Sequence, residues 1–301
     1  MYLHEDKELF QDVLNNTHEA TNLPVKMIEK DYYVTAILKL LSEKADNVVF
    51  KGGTSLSKCY HAIDRFSEDI DITFTEHIGA NKRKHLKYDI LKVISEELNM
   101  PIGNWDKIQS DRDYNCYYFE YESIEQNEID EMLPSVKLET ALSSYSFPVN
   151  KMSIDSYVYQ YLKQENQEII EEFNLQLFEM NVQSIERTFI DKVFALCDYY
   201  MQGKSHRYSR HLYDLVKLRT FIRFDTNFAE LVKKVREHRR GMSICPSAKD
   251  GIVIPTLIKE FCENDFYKKD YEEITYYFMN SPLDYSKTIK NILEISNSGL
   301  F

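Results

Sequence analysis

The chain of 301 residues carries a formal net charge of −12 and is 43% hydrophobic, which is enough to fill a sizeable core. It has no run of about 18 uncharged apolar residues, and its acidic N-terminus, MYLHEDKELFQDV, lacks the basic and then apolar pattern of a signal peptide. Five scattered cysteines without a C-x-x-C pair exclude a zinc ribbon or a dithiol redox motif. These features are typical of a globular cytoplasmic protein.

The spacing of apolar residues predicts helices and strands in a definite order. Two helices are expected from Glu5 to Leu41, interrupted at TNLP, and the second is VKMIEKDYYVTAILKLLSEK. A short buried strand, NVVF, ends at a glycine pair, and a helix starts within TSLSKCYHAI. The strand DIDITF follows, then the amphipathic helix KRKHLKYDILKVISEELNM and the strands DYNCYYFEYES and PSVKLETAL.

The pattern from about Tyr157 to the C-terminus is almost entirely helical. We therefore predict an α+β protein with a domain boundary near Asn150. Residues 1–150 would form a sheet core with flanking helices, and residues 151–301 a helical bundle.

The segment Gly52-Gly53-Thr54-Ser55 joins the first strand to the following helix. Glycine lets the backbone approach a ligand closely, and a hydroxyl beside a helix N-terminus supplies donors suited to phosphate. A P-loop requires G-x-x-x-x-G-K-[ST], which is absent at this point. A glycine turn before a helix is also a common structural feature, so this segment alone leaves both interpretations open.

Two aspartates alternate in the strand DIDITF. Residues two apart in a strand point to the same face, so Asp69 and Asp71 project together while Ile70 and Ile72 face the other side. Burying two unpaired carboxylates would be costly, and oxygen ligands of this kind suit Mg²⁺ or Mn²⁺. The pair therefore indicates a metal site, the alternative being a solvated strand edge.

A third carboxylate is available on the later strand. Glu139 has the same parity as Lys137 and Ala141, while Val136 and Leu138 face the opposite side. Metal-dependent phosphoryl or nucleotidyl transfer typically needs a further acid, which helps to hold an ion or accepts the proton of the attacking hydroxyl. Glu139 is thus a candidate third ligand, and a surface glutamate is the alternative.

Two charged residues further along the chain lie next to the apolar stripes of predicted helices. Lys192 lies beside the apolar stripe of SIERTFIDKVFALCDYY, where its ammonium could extend to solvent or reach a triphosphate. Asp214 follows Arg210 by one helical turn in RYSRHLYDLVKL, where a surface ion pair is the default interpretation.

Basic residues are concentrated in one segment. Residues 204–240 carry eleven Lys or Arg against four acids, a local charge of +7 in a chain whose total is −12. Such a segment can receive a polyanion such as RNA, or it can consist of solvated helix faces. Arg236, Arg239 and Arg240, in REHRRG, are candidate RNA-binding residues, unless they only complement a helix C-terminus.

Four sequence blocks resemble the AbiEii, toxin-type nucleotidyltransferase family, a branch of the DNA polymerase beta-like nucleotidyltransferase superfamily. In the family's order, they are IEKDYYVTAIL, FKGGTSLSKCYHAIDRFSEDIDITF, SIERTFIDKVFALCDYY and RYSRHLYDLVKL. The resemblance covers roughly residues 28–218, and the stretch beyond about Thr220 has no counterpart. It implies a nucleotidyltransferase-like mixed-sheet core, followed by a helical domain that contributes Lys192 and Asp214 to the site.

The resemblance also implies the chemistry of the site. The residues it assigns are Gly52, Gly53, Thr54, Ser55 and Lys192 for the nucleotide, Asp69, Asp71 and Glu139 for Mg²⁺ or Mn²⁺, and Lys192 with Asp214 as further catalytic residues. The implied reaction transfers a nucleoside monophosphate from an NTP to an acceptor, with tRNA expected, in a toxin–antitoxin or phage-defence pair. A cognate antitoxin protein is the expected partner, and no membrane partner is expected. A phosphotransferase, a protein-modifying nucleotidyltransferase and a degenerate nucleotide-binding regulatory module are the alternatives.

Overall fold

The computed structural model describes residues 1–124 and 133–301. The chain forms two compact units: the first comprises Met1–Thr54 and Glu68–Val182, and the second comprises Ser55–Ser67 and Gln183–Phe301.

The described residues contain thirteen α-helices and six β-strands. The helices are α1 (Lys7–Thr21), α2 (Val25–Lys44), α3 (Gly52–Lys58), α4 (Ala80–His85), α5 (Lys92–Glu97), α6 (Tyr157–Glu165), α7 (Gln167–Glu172), α8 (Ile185–Met201), α9 (Arg210–Leu218), α10 (Thr226–Arg240), α11 (Ile254–Glu263), α12 (Lys268–Glu273) and α13 (Tyr285–Ser296). The strands are β1 (Val48–Lys51), β2 (Ile70–Phe74), β3 (Tyr114–Glu120), β4 (Ser135–Tyr145), β5 (Val149–Ile154) and β6 (Phe178–Gln183). A π-helical segment, Leu86–Leu91, joins α4 to α5. None of the described helices is both long and apolar enough to span a membrane.

The six strands form one mixed sheet in the order β3-β4-β2-β1-β6-β5. β1 is antiparallel to β2 and parallel to β6, while β4 is parallel to β2 and antiparallel to β3. Val48, Val49 and Phe50 of β1 are almost fully buried, which explains why this central strand reads as a continuous apolar run. The expected α+β class with a mixed sheet is confirmed.

Helices surround the sheet in the first unit. α2 packs against α1, α6 and β4 and buries Ile28, Tyr32 and Ile37. In the second unit, α8 is the central helix and packs against α9, α10 and α11. Its Phe189 and Phe194 are fully buried, so the predicted apolar stripe is the core face of this helix.

The sequence pattern missed two strands. The expectation of almost entirely helical structure after Tyr157 is wrong at β6, and β5 was also not anticipated. β6 reads FEMNVQ, where Phe178, Met180 and Val182 alternate over only six residues, and it pairs with β1 from a distant part of the chain. Asn150 lies inside β5, and the predicted division into domains at this point stays a prediction.

Candidate active site

Three acidic residues of the first unit lie on two neighbouring strands or directly before one of them. Asp71 on β2 is the Cα partner of Glu139 on the parallel strand β4. Asp69 precedes Asp71 by two residues, and Ile70 and Ile72 between and beyond them are fully buried on the opposite face. The fold thus brings Glu139 beside the aspartate pair, while the role of the three residues as ligands stays a prediction.

The carboxyl groups of Asp71 and Glu139 hydrogen-bond to each other and differ in acidity. Burial raises the pKa of Asp71 to about 7; the ammonium of Lys51 opposes this shift, and the negative charge of Glu139 adds to it. Burial also acts to raise the pKa of Glu139, but its hydrogen bond with Lys137 helps to lower that pKa below its ordinary value. Without a further cation, a proton in this pair therefore resides on Asp71.

The Lys137 ammonium lies among these carboxylates. Its Nζ atom is 3.8 Å from Asp69 Oδ2 and forms an ion pair with Glu139 Oε1. Burial acts to lower the pKa of Lys137, but the hydrogen bond with Glu139 and the charge of Asp69 raise it above its ordinary value. The lysine is therefore a charged member of the cluster.

The glycine segment forms the start of α3 directly after β1, and not a turn before the helix as expected, and Gly52 lies next to Asp71 of β2. Gly52 has φ +81°, and a Cβ atom at this position would lie 2.0 Å from Asp71 Oδ2. The Thr54 hydroxyl donates a 2.6 Å hydrogen bond to the carbonyl oxygen of Asp69, and its side chain is buried. Ser55 is also fully buried. These contacts give Gly52 and Thr54 a structural role beside the carboxylates, and their nucleotide-binding role stays a prediction.

The donor chemistry of the cluster fits a divalent ion such as Mg²⁺. All three donors are carboxylates, which are hard oxygen ligands, and the charges of Glu139 and Asp69 add to the effect of burial in raising the pKa of Asp71. In the arrangement shown, however, no three His, Cys, Asp or Glu side chains within residues 1–124 and 133–301 are placed to hold an ion, so binding Mg²⁺ would require these carboxylates to change position. In this arrangement it is Lys137 that provides a positive charge to Asp69 and Glu139.

The buried Lys30 contacts both the segment that leads into β2 and the segment that leads into β4. Lys30 on α2 is 3% exposed, and its Nζ atom lies 2.8 Å from Glu68 Oε2 and donates a 2.8 Å hydrogen bond to the carbonyl oxygen of Leu133. Glu68 immediately precedes Asp69, and Leu133 precedes the strand that carries Glu139. Lys30 therefore helps to fix the relative position of the two carboxylate-bearing strands.

A second charged cluster lies within the second unit and is centred on Asp214. This residue on α9 is fully buried, and its carboxylate accepts hydrogen bonds from Arg65 Nε at 2.7 Å, Arg65 Nη2 at 2.8 Å and Lys192 Nζ at 2.7 Å. Burial disfavours the charged carboxylate, but the charges of Arg65 and Lys192 outweigh it and hold the pKa of Asp214 far below its ordinary value. The default expectation of a surface ion pair with Arg210 is therefore wrong for Asp214.

Lys192 on α8 is likewise buried, so its ammonium does not extend to solvent. Its Nζ atom lies 3.3 Å from His211 Nδ1 as well as contacting Asp214. Burial lowers the pKa of Lys192, although the charge of Asp214 acts in the opposite direction. Burial and the Lys192 charge also lower the pKa of His211 well below its usual range. The geometry thus places the Asp214 carboxylate in direct contact with the Lys192 ammonium.

A family model described as "Nucleotidyl transferase AbiEii toxin, Type IV TA system" matches residues 37–294, so the expectation that the stretch beyond about Thr220 has no counterpart in the family is wrong. This chain belongs to the AbiEii nucleotidyltransferase toxin family. Among solved structures, the nucleotidyltransferase toxin MenT4 from Mycobacterium tuberculosis H37Rv is similar, with a TM-score of 0.45 and 15% sequence identity over 94% of this chain and 97% of that chain. No curated protein sequence matches this chain. Family membership makes the chain a nucleotidyltransferase with an NTP substrate and implies an antitoxin partner.

Arg65 is a residue of this AbiEii-family chain that sequence reasoning did not single out. It lies in the block DRFSEDID, just before the aspartate pair, and forms a bidentate contact with Asp214 from 149 positions away. An isolated arginine in a loop has no periodic pattern that would reveal a distant partner. Its proximity to the D-x-D motif was the signal available in the sequence.

The three arginines expected to bind RNA have partners within the chain. Arg239 is 14% exposed in its side chain and pairs with Asp191 at 3.0 Å and Asp198 at 2.8 Å. Arg236 donates hydrogen bonds to backbone carbonyl oxygens, including that of Lys249 at 3.3 Å. These contacts give both residues a structural role in the AbiEii-family fold. Their role in RNA binding stays a prediction.

The third arginine, Arg240, is more exposed. Its guanidinium pairs with Glu237 at 2.6 Å and with Asp250 at 3.2 Å, and 38% of its side chain is exposed. Of the three, it therefore has the side chain that an RNA backbone would reach most readily.

Proposed function

We propose that this AbiEii-family enzyme transfers a nucleoside monophosphate from an NTP to tRNA and that Mg²⁺ is held by Asp69, Asp71 and Glu139. The single observation that supports this proposal is the pairing of Asp71 with Glu139 across parallel strands, with Asp69 on the same face. Two neighbouring carboxyl groups that repel each other are the ligand set that an oxygen-seeking divalent cation stabilises.

In the proposed reaction, an acceptor hydroxyl oxygen forms a bond to the α-phosphorus of the NTP. The bond from that phosphorus to the bridging oxygen of the β-phosphate breaks, and pyrophosphate leaves with the bonding electron pair. Bound Mg²⁺ would supply positive charge to the phosphate oxygens. A carboxylate of the cluster accepts the proton of the attacking hydroxyl.

Lys192 is proposed to neutralise negative charge that develops on the phosphates. Asp214 holds its ammonium through the 2.7 Å contact, and the bidentate contact with Arg65 fixes the orientation of the Asp214 carboxylate. Asp214 is thus proposed as a positioning residue, because its two oxygens are already engaged by Arg65 and Lys192. Gly53 and Ser55 are proposed to contribute to phosphate binding.

The proposed toxin would be active in the cytoplasm, as part of a toxin–antitoxin or phage-defence pair. An antitoxin that suppresses its activity is the proposed partner.

The deciding experiment incubates the protein with Mg²⁺, total cellular RNA and protein, and each α-labelled NTP in turn. Label in the tRNA band, lost with Asp71→Asn and on removal of Mg²⁺ with a chelator, is the expected result. Label in a protein band would instead identify a protein-modifying nucleotidyltransferase, an activity that the net charge of −12 favours because RNA is repelled by an acidic surface. Transfer of label from a γ-labelled NTP would identify a phosphotransferase. No label in any acceptor, with nucleotide still bound, would identify a regulatory module.

A further inference from the structure

The Lys137 side chain is partly buried, to nearly the same extent as the carboxylates that it contacts. Its exposed fraction is 32%, against 27% for Asp69 and 21% for Glu139. Its Nζ atom reaches carboxylates on both sides of the β2–β4 pairing, with Asp69 Oδ2 at 3.8 Å. An ordinary surface ion pair joins two exposed side chains and contributes little. Lys137 instead contacts two partly buried carboxylates in a cluster of three.

The three carboxylates divide into two sets of contacts. Asp69 and Glu139 share the Lys137 ammonium, whereas Asp71 and Glu139 share a hydrogen bond. A cation between like charges allows both to stay ionised, which is the same electrostatic role that a metal ion has in such a site. Lys137 therefore already supplies one of the positive charges that the cluster requires.

A common arrangement for in-line phosphoryl transfer uses two divalent ions, which stabilise the attacking and the leaving oxygen. A second divalent ion in this cluster would have to bind beside the Lys137 ammonium or displace it from Asp69 and Glu139. Either event is opposed by the repulsion between two cations at short range.

We propose that Lys137 is the second cation of this carboxylate cluster, so that the site binds one divalent metal ion together with one ammonium group. This inference rests on the proposed nucleotidyl transfer at Asp69, Asp71 and Glu139. The ammonium holds Asp69 and Glu139 in place, and the single ion provides the charge that the substrate phosphates require.

The test counts the Mn²⁺ ions bound to the full-length protein by titration, with unbound Mn²⁺ measured by its electron paramagnetic resonance signal. The wild-type protein is expected to bind one ion. Lys137→Met keeps the length of the side chain and removes its charge, so the count should rise to two. Lys137→Arg restores a cation and should return the count to one.

Lys151→Met is the matched control, because Lys151 is an exposed lysine on β5 of the same sheet. This variant should bind one Mn²⁺ ion, like the wild type. Two ions bound to the wild-type protein would overturn the inference, even with nucleotidyl transfer intact. A single ion in both the wild type and Lys137→Met would also overturn it. No Mn²⁺ bound to any of these proteins would overturn both this inference and the proposed metal site.

Discussion

Gly52 and Asp71 are so close that the aspartate carboxylate occupies the space of a side chain at residue 52. A Cβ atom there would lie 2.0 Å from Asp71 Oδ2, and the φ of +81° is in the left-handed region that favours glycine. The glycine at this strand end is thus required by the position of a proposed metal ligand as well as by the backbone.

Gly52→Ala should therefore abolish transfer and lower the free energy of unfolding. Strain at a left-handed residue costs about 1–3 kcal/mol, and the overlap with Asp71 adds to it. Gly79→Ala is the control, because Gly79 has no neighbouring atom within 4 Å of an added Cβ. Labelled transfer and thermal melting measure the two effects. Equal activity of the two variants would contradict this account of Gly52.

Asp71→Asn should abolish transfer and leave the fold intact. The change keeps the size of the side chain and removes the charge that would hold the metal, while the amide, like the protonated carboxyl group, carries no charge beside Glu139. The melting temperature should therefore be unchanged or slightly raised. Activity within about tenfold of the wild type, with the same melting curve, would remove Asp71 from the proposed site.

Lys30→Met should weaken Mn²⁺ binding, although Lys30 is not itself a proposed ligand. The change leaves Glu68 and the Leu133 carbonyl oxygen without their shared ammonium, so the two carboxylate-bearing strands lose a common anchor. Lys87→Met is the matched control for Lys30→Met, because Lys87 is also buried and donates a 2.7 Å hydrogen bond to the carbonyl oxygen of Ile108.

Both lysine variants should lose about 1–3 kcal/mol of stability, the usual cost of an unsatisfied buried polar group. Only Lys30→Met should also lower Mn²⁺ affinity, as measured by titration at a temperature where both variants are folded. Equal Mn²⁺ affinities of Lys30→Met and Lys87→Met would show that Lys30 stabilises the fold without a specific effect on the metal site.

Lys192→Ala should reduce turnover more than it raises KM. A charge that acts as negative charge develops on the phosphates stabilises the transition state more than the bound substrate. Steady-state kinetics on the folded variant separates the two parameters. Lys204→Ala, which removes an exposed lysine of the same unit, should leave both unchanged. A loss of thermal stability with normal kinetics would show that the Lys192–Asp214 contact is only structural.

Asp214→Asn should destabilise the protein in a pH-dependent way. The folded pKa of Asp214 lies below its ordinary value, so its stabilisation is complete above about pH 4 and is lost as the pH falls through the folded pKa. Removing one partner of a buried charge cluster costs about 3–5 kcal/mol. The difference in unfolding free energy from the wild type should thus be large at pH 7 and decrease below pH 4. Urea unfolding across this pH range measures the difference in unfolding free energy. A difference that does not change with pH would contradict the lowered pKa of Asp214.

Local patterns were sufficient to predict the arrangement around the D-x-D motif. Strict alternation placed Asp69 and Asp71 on one face, and the parity of Glu139 placed it on the polar face of its own strand. The helices of the second unit were similarly evident from the apolar stripe around Phe189 and Phe194. Each of these features depends on residues only a few positions apart.

Features that depend on distant partners were not predictable in this way. Arg65 and Asp214 are 149 positions apart, and nothing local to either residue indicates that both are buried together. Lys137 has the parity of Glu139, but a lysine at alternating positions is also what a solvated strand face contains. β6 is short and partly polar, so its strand conformation depends on pairing with β1.

The position of β1 between β2 and β6 constrains how the protein can assemble during synthesis. Until residues 178–183 have left the ribosome, the edge of β1 that pairs with β6 has no strand beside it. This edge has unpaired backbone N–H and C=O groups, and the strand carries the apolar Val48, Val49 and Phe50, so the unfinished sheet is prone to pair with other chains. A fragment that stops at Asn150 would keep this edge permanently and should aggregate, whereas one that extends beyond Gln183 supplies the missing strand.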